Sequence, residues 1–477
     1  MSLAEPVTTA LAAAIEPSRI VTERSRLATY RGIAWGVASS KVPLARPPAP
    51  PLAVVLPRNV PDVLAALDVA RRFGTPVIPY GSGTGVQGGA SPVEGSIIVD
   101  LGAMRRVFSI SREDRMARVE PGVLLGQLDL DARAHGLMVG HDPWSQSIAS
   151  VGGATSTNGV GYLAGKYGSM GEQVLGLEAV LASGEIVRMR GVPKASVGPS
   201  LKHLFIGAEG IFGLVTEVDV RLFPLPERRD LASFRFRRFE DGLQAVLEMS
   251  AIHLRPSMID YEEDDPPPGT LRVGRLVDLS SPMHLAFEGF EEEVEAQRAR
   301  ATRICLRHGG EAMSHEEACY FWDTRHESAE RWVRDREQDP EGLMQRNRAR
   351  RWTSAYLNVT LPASRIQRFR ERAAEELAPY RLALKASGLW GIPELYSVKL
   401  EHESPDDPRA PDELDAGADH GLRLAHGLGG SMEYCHGVGL RLSHLMDSEL
   451  GNGLDMLRQL KRTLDPGNLL NPGKLGL

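Results

Sequence analysis

Pro79-Tyr80-Gly81-Ser82-Gly83-Thr84-Gly85-Val86-Gln87-Gly88-Gly89 carries five glycines in the nine positions 81 to 89, directly after the apolar run Thr75-Pro76-Val77-Ile78. Glycine turns with positive φ and lets backbone approach a ligand without a Cβ in the way. A glycine turn after a strand presents successive N–H groups to an anion such as a pyrophosphate. A second cluster runs from Val151 through Gly152, Gly153, Gly159 and Gly161, and a third spans Gly207-Ala208-Glu209-Gly210-Ile211-Phe212-Gly213. Each costs chain entropy, so three such turns read as converging on one extended, phosphate-bearing ligand. No Lys follows the first loop as a nucleoside triphosphatase motif requires. Its third glycine comes one residue too early for the dinucleotide fingerprint G-x-G-x-x-G, and no clear helix follows.

The rest of the chain bounds the class. At 477 residues the length suggests two or three domains. With 42% hydrophobic and 25% charged residues, the composition is that of a soluble globular protein. A net charge of −7 and a pI of about 6.1 argue against a nucleic-acid binder. No apolar run reaches bilayer length, and no secretory signal is read at the N-terminus. Cys305, Cys319 and Cys435 are too few for a disulfide framework, and a reducing, cytoplasmic setting fits. Cys305 and Cys319 read as small buried residues.

From Leu52 to about Leu225 short strands and helices alternate. Strands are expected at Leu52–Leu56, Thr75–Pro79, Ser96–Leu101, Met116–Glu120, Leu175–Leu181, Glu185–Met189 and Gly213–Leu222, and helices at 5–16, Pro61–Phe73 and Leu124–Ala134. The Pro-rich stretch Pro43–Pro51 reads as a linker. Past Pro224-Leu225-Pro226 the pattern becomes α+β. Charged or amphipathic helices are expected at Glu288–His308 and Ala363–Leu377, and strand-like runs at Leu271–Leu279, Ala355–Leu361 and Leu395–Lys399. The tail from Gly439 reads as helical until Leu464. The charge runs Glu291-Glu292-Glu293 and Arg346–Arg351 read as solvated helix faces.

Five markers then appear in order. They are Pro79 to Gly85; Arg118-Val119-Glu120-Pro121-Gly122-Val123; Gly152 to Asn158 with Tyr167-Gly168; Glu209 to Thr216; and Leu464-Asp465-Pro466-Gly467-Asn468-Leu469-Leu470-Asn471-Pro472-Gly473-Lys474. On these, the chain resembles the FAD-linked oxidases of the vanillyl-alcohol oxidase/para-cresol methylhydroxylase superfamily. The resemblance implies an α+β fold: a two-subdomain FAD-binding domain at 47–226 and a substrate (cap) domain with an antiparallel sheet at 227–435. A helical segment (1–46) and a tail (436–477) would pack on the FAD domain. It implies that FAD is held by Pro79, Tyr80, Gly81, Ser82, Gly83, Thr84, Gly85, Gln87 and Gly88 of the first loop. Asp142, Ser145, Ser147, Ile148, Gly152, Gly153, Thr155, Thr157, Asn158, Gly161 and Tyr167 follow in the second region. Glu209, Gly210, Gly213, Val215 and Asn471 complete the set. Covalent members often carry a His in the first loop; this chain has none there, so a non-covalent FAD is expected.

The second domain is similar to two branches. Gly429-Gly430-Ser431-Met432-Glu433-Tyr434-Cys435-His436-Gly437-Val438-Gly439 is similar to the Glu-His-Gly-Ile-Gly motif of D-2-hydroxy acid dehydrogenases. It is also similar to the His-His-His-Gly-Val-Gly motif of alkyldihydroxyacetonephosphate synthases. Cys435 replaces the metal-binding Glu of the first branch, and the strand ending at His402 lacks its two-His pattern. No metal is therefore expected; Cys435, His436 and His402 would form at most a soft site. Chemistry nominates His436 as the base that removes a hydroxyl proton. Arg325 would grip an anionic group bidentately. On Asp260-Tyr261, alternation lets at most one side chain face the substrate. Tyr396, Lys399 and Tyr434 are phenol- or anion-facing candidates. The expected activity is FAD-dependent oxidation of an alcohol, best a 2-hydroxy acid, with hydride passing to flavin N5. The alternatives are a redox-neutral synthase-like enzyme, an oxidase of an aromatic alcohol or phenol, and a flavin-binding protein with a decayed site. The expected partner is a small, anionic substrate molecule. A homodimer and the electron acceptor (oxygen, quinone or electron-transfer protein) stay open.

Overall fold

The computed structural model describes residues 4–30, 50–267, 269–338 and 354–477. The arginines at 346–351 and most of the Pro43–Pro51 linker lie outside the described residues.

Three sheets organise the chain. The first holds β1 (Ile20–Val21), β2 (Ala53–Val55), β3 (Val77–Tyr80) and β4 (Ile97–Asp100) in the order β1-β2-β4-β3. β2, β4 and β3 run parallel, which requires crossovers. One crossover is the helix Val60–Phe73. The Asn59 side chain caps it by accepting the Asp62 N–H, and it buries Val63, Ala66, Leu67 and Ala70. The chain end returns here: Val77 N–H donates to the Leu469 carbonyl (2.7 Å), and Asn471 N–H to that of Val77 (2.8 Å). The tail is therefore pinned beside β3, the strand that feeds the glycine loop.

The second sheet holds β5 (Val107–Ser111), β6 (Met116–Val119), β7 (Leu137–Val139), β8 (Val174–Val180), β9 (Ile186–Met189) and β10 (Leu214–Pro224). Its order is β5-β6-β10-β8-β9, with β7 also on β10, and its pairs are antiparallel. The third is antiparallel: β11 (Arg228–Phe236), β12 (Met258–Glu262), β13 (Ser281–Gly289), β14 (Glu311–Ala312), β15 (Ser354–Thr360), β16 (Leu382–Trp390) and β17 (Ile392–His402). Its order is β14-β11-β13-β12-β16-β17-β15. The chain changes sheets between Pro224 and Arg228, where the Pro-Leu-Pro turn was read.

Several elements depart from the sequence expectations. Leu271–Leu279 is irregular, and the strand lies at Ser281–Gly289, so the charged helix starts at Glu291 and not at Glu288. Glu288 hides that strand end: it is buried only because Arg229 (2.5 Å) and the Tyr167 hydroxyl (3.0 Å) meet it. The second glycine cluster opens as a helix, Val151–Thr157, because Ser150 caps the Gly153 N–H and Gly152 lets the turn pack against Pro121. Tertiary packing overrides glycine's low helix propensity there. The tail helix begins only at Asn452, after a shorter one at Met446–Leu450. Cys305 is buried as expected, whereas Cys319 is half-exposed. Among the described residues no helix is long and apolar enough to cross a membrane.

Strand alternation gives the third sheet two faces. Tyr261 and Tyr396 point to the helix side: Tyr261 stacks on Phe239 (centroids 5.0 Å apart), and Tyr396 packs edge-on against Phe239 and Phe369. Their neighbours Asp260 and Ser397 point to the other face, toward the glycine loops.

Candidate active site

A cleft lies where the glycine loops converge. Its walls are residues 79–87 of the first loop, the 143–160 region, Glu209, Gly210, Gly213, Val215, and Cys435 with His436. The first loop is built for close approach. Gly83 sits at φ +70°, and a Cβ there would fall 1.9 Å from the Tyr80 hydroxyl; one on Gly81 would fall 2.5 Å from Ser150 Oγ. Among the described residues, the N–H groups of Gly83, Thr84 and Gly85 meet no protein acceptor. Two buried polar atoms on the cleft wall, Gln87 Oε1 and His141 Nδ1, also lack protein partners there. A row of free N–H groups with orphaned polar atoms fits a dinucleotide with a pyrophosphate. The helix 151–157 offers less, because its Gly152 and Gly153 N–H groups already donate to Pro121 and Ser150.

His436 closes the far end. Its Nδ1 lies 3.3 Å from Asn358 Nδ2 and 3.5 Å from Glu433 Oε1. The two contacts are alternatives: a neutral Nδ1 accepts from the Asn358 amide, and a protonated one faces the carboxylate. The residue lines the cleft, and Cys435 also hydrogen-bonds its side chain. Glu433 also accepts the N–H groups of Cys435 (2.8 Å) and His436 (3.0 Å), and its other oxygen takes Gln87 Nε2 (2.8 Å). Burial would raise its pKa, but His436 and these N–H groups hold it below the ordinary value. Burial pulls the His436 imidazole down, yet Cys435 and Glu433 push it well above its ordinary value. Asn358 Oδ1 accepts from Ser397 Oγ (2.7 Å), which also touches the Tyr434 hydroxyl (2.7 Å).

The matches to known proteins follow this geometry. A family profile described as "FAD binding domain" matches residues 51–190, and one described as "FAD linked oxidases, C-terminal domain" matches 225–475. The chain belongs to the FAD-linked oxidases. A D-lactate dehydrogenase of Archaeoglobus fulgidus is 32% identical over 88% of this chain and 90% of its own. The glycolate oxidase subunit GlcD of Bacillus subtilis is 28% identical over 89% of each. In fold, the chain is similar to an alkyldihydroxyacetonephosphate synthase (TM-score 0.75, 18% identical, covering 98% of this chain and 86% of that one). It is also similar to p-cresol methylhydroxylase (TM-score 0.74, 20% identical, covering 99% and 96%). This FAD-linked oxidase is thus an FAD-dependent oxidoreductase with the superfamily's α+β fold.

The expected site residues divide. Those of the first loop through Gln87, with Ser145, Gly152, Gly153, Thr157, Glu209, Gly210, Gly213 and Val215, line the cleft. Nine others do not line it. The carbonyl of Gly88 takes the Ser91 N–H, and Ile148 N–H folds back on Ser145. Ser147 packs on Gly126, and Gly161 against Asp142 backbone. Thr155 Oγ1 donates to Val151, Asn158 Oδ1 takes Gly171 N–H, and Tyr167 donates to Glu288. Asn471 Nδ2 ties Gly89 to Glu209 (2.8 and 2.6 Å). Asp142 turns away from the cleft: Arg325 Nε donates to it (3.0 Å) and His326 Nε2 lies 2.8 Å off, too poorly aligned for a hydrogen bond. Its neighbour His141 takes the wall position, buried and held down to about 4, hence neutral.

Of the catalytic candidates, His436, Tyr434 and Asp260 share one face. Burial, with Glu262 adding, pushes the Asp260 carboxyl well up, and its charge is felt by Tyr434 and Tyr162. Tyr396 is not brought to that face: fully buried on the opposite one, it donates to Ser387 Oγ (2.9 Å). Arg325 is not on it either: it contacts Asp142, the Trp322 carbonyl and the Trp322 ring at 3.8 Å. Lys399 lies over Tyr356 (5.7 Å), 3.7 Å from Asp265. His402 pairs with Glu413 (2.8 Å), which removes it from any soft metal site with Cys435. Among the described residues no metal-ligand cluster of three or more His, Cys, Asp or Glu forms.

The first loop yields a direct test. Gly83→Ala forces an L side chain to φ +70° and into the Tyr80 hydroxyl. Strain of this kind costs about 1–3 kcal/mol, so FAD affinity should fall about 10- to 100-fold in apoprotein titration followed by flavin fluorescence. Unchanged affinity would show that the loop does not cradle the cofactor.

Proposed function

We propose that this enzyme oxidises the CH–OH group of a small 2-hydroxy acid, with His436 as the base and a dissociable FAD. The observation that carries it is His436 on the wall of the glycine cleft, with its Nδ1 committed to Glu433 or Asn358. The lactate and glycolate in the relatives' names suggest the substrate class. Nε2 of His436 takes the hydroxyl proton, Glu433 and Asn358 fix the ring, and Tyr434, its phenol kept protonated by burial, is a hydrogen-bonding neighbour. The N–H groups of 83–85 would hold the pyrophosphate, with Gln87 and His141 bordering the rest. Bound FAD supplies the two-electron acceptor for the hydride leaving the carbinol carbon.

The commitment of Arg325 favours a second reading, an alcohol without a carboxylate. Asp260, Ser397, Asn358 and Tyr434 then offer polar groups that suit an uncharged hydroxyl compound. Anaerobic bleaching of the flavin by a panel of D- and L-2-hydroxy acids and of uncharged aliphatic and aromatic alcohols separates the two. Bleaching by D-2-hydroxy acids supports the first reading, and bleaching by neutral alcohols alone replaces it with the second. Bleaching by neither overturns both.

A further inference from the structure

We propose that Glu209 is a positioning residue for His436: its carboxylate braces the turn that follows the histidine and does not serve as a cofactor ligand. The inference rests on reading His436 as the base. Glu209 lies in the third glycine cluster, 5% exposed and at φ +50°. Its Oε1 accepts the N–H groups of Val438 (2.6 Å) and Gly439 (2.9 Å), and Oε2 also takes that of Gly439 (3.0 Å). Gly437 and Gly89 close over it. A Cβ on Gly437 would come within 2.5 Å of Oε1, and one on Gly89 within 2.7 Å of Oε2. Glu209 thus borders the cleft with both oxygens already accepting.

Its neighbour in this task is Gln87, whose carbonyl takes the N–H groups of Leu440 (3.0 Å) and Arg441 (3.2 Å). Glu433 takes those of Cys435 and His436. From Cys435 to Arg441, every backbone N–H except that of Gly437 is committed to one of three residues. Two of them, Glu209 and Gln87, belong to the cofactor-binding loops. Buried carboxylates accepting backbone N–H groups are strong, geometrically exacting contacts. The histidine is therefore held to the cofactor wall through Glu209, although the chain on its N-terminal side comes from the third sheet.

The brace has a pH signature. Burial pushes the Glu209 carboxyl up to about 7, against the N–H groups of Gly439 and Val438 and the Lys474 ammonium, while Glu433 adds to the rise. The groups facing it are Lys474, itself lowered to about 8 by burial, and Glu433, with His436 next along the turn. The anionic brace is complete above about 7 and weakens as pH falls through it.

The test uses the FAD-loaded enzyme and its Glu209→Ala and Glu209→Gln variants, with three readouts. In Glu209→Ala, amide hydrogen exchange of the 433–441 peptide should rise about 10-fold or more, as loss of two charge-assisted bonds predicts. FAD affinity should stay within about threefold of the parent, and anaerobic reduction should slow about 10-fold or more. Glu209→Gln, which keeps an acceptor, should recover part of the protection. It should also lose the step in exchange near pH 7 that remains in the parent after correction for intrinsic chemistry. Unchanged exchange in Glu209→Ala, or loss of FAD affinity without a change in exchange, overturns the proposal. Faster exchange with unchanged reduction would leave the brace without a positioning role and overturn the proposal, whereas the reading of His436 as the base is tested separately by His436→Gln. Should Glu209→Ala fail to fold, the pH step in Glu209→Gln against the parent decides alone.

Discussion

His436→Gln retains FAD and slows anaerobic reduction of the flavin by about 100-fold or more, the usual scale for a lost general base. The alternatives at the site are poor bases near neutral pH. The Tyr434 phenol is pushed well above its ordinary value by burial, so it holds its proton. Asp260 is pushed up too by burial, which favours its protonated form. Glu433 is ionised, yet its oxygens already accept from Gln87, Cys435 and His436. Among these groups, His436 combines a wall position on the cleft with a ring fixed through Nδ1. The bound FAD spectrum separates this from collapse of the site. Full-rate reduction of the variant would hand the base role to another group, with Asp260 the next to replace.

The glycine loop, its strand and the tail marker were legible because each depends on local rules: positive φ at glycine, apolar alternation, and a proline-glycine turn. What the sequence hid depends on facing. Asp142 and His141 are adjacent, and only the folded chain shows that Asp142 is spent on Arg325 while His141 meets the cleft. Tyr396 and Ser397 are likewise adjacent on β17, and register sends the tyrosine to the helices. Asn358 and Ser397 did leave a trace, as polar residues flanked by apolar neighbours near the middle of their strands. Such a residue is either costly or functional. Glu433 left another: the family's carboxylate one position before the histidine is absent, and a carboxylate three positions before it folds back to the ring.

That displaced carboxylate sets the second expected result. In Glu433→Gln, the pH limb of reduction attributable to His436 moves to lower pH. The sign follows from charge. Burial lowers the imidazole's pKa, while Cys435 and Glu433 raise it well above its ordinary value, which favours the protonated ring in the parent. Reduction by the parent therefore climbs as pH rises through that raised pKa. Glutamine keeps the size and an acceptor for the Cys435 and His436 N–H groups but removes the charge, so the imidazolium loses its stabilisation and releases its proton earlier. The plateau above the limb falls as well. The carboxylate holds two backbone N–H groups and the Gln87 amide, and bonds to a charged group are worth about 1.5–3 kcal/mol, so about 10- to 100-fold is at stake. Stopped-flow reduction across pH 6 to about 10 reads both effects. A lower plateau with an unmoved limb would make Glu433 a backbone brace only. A limb that moves to higher pH would contradict the charge argument outright.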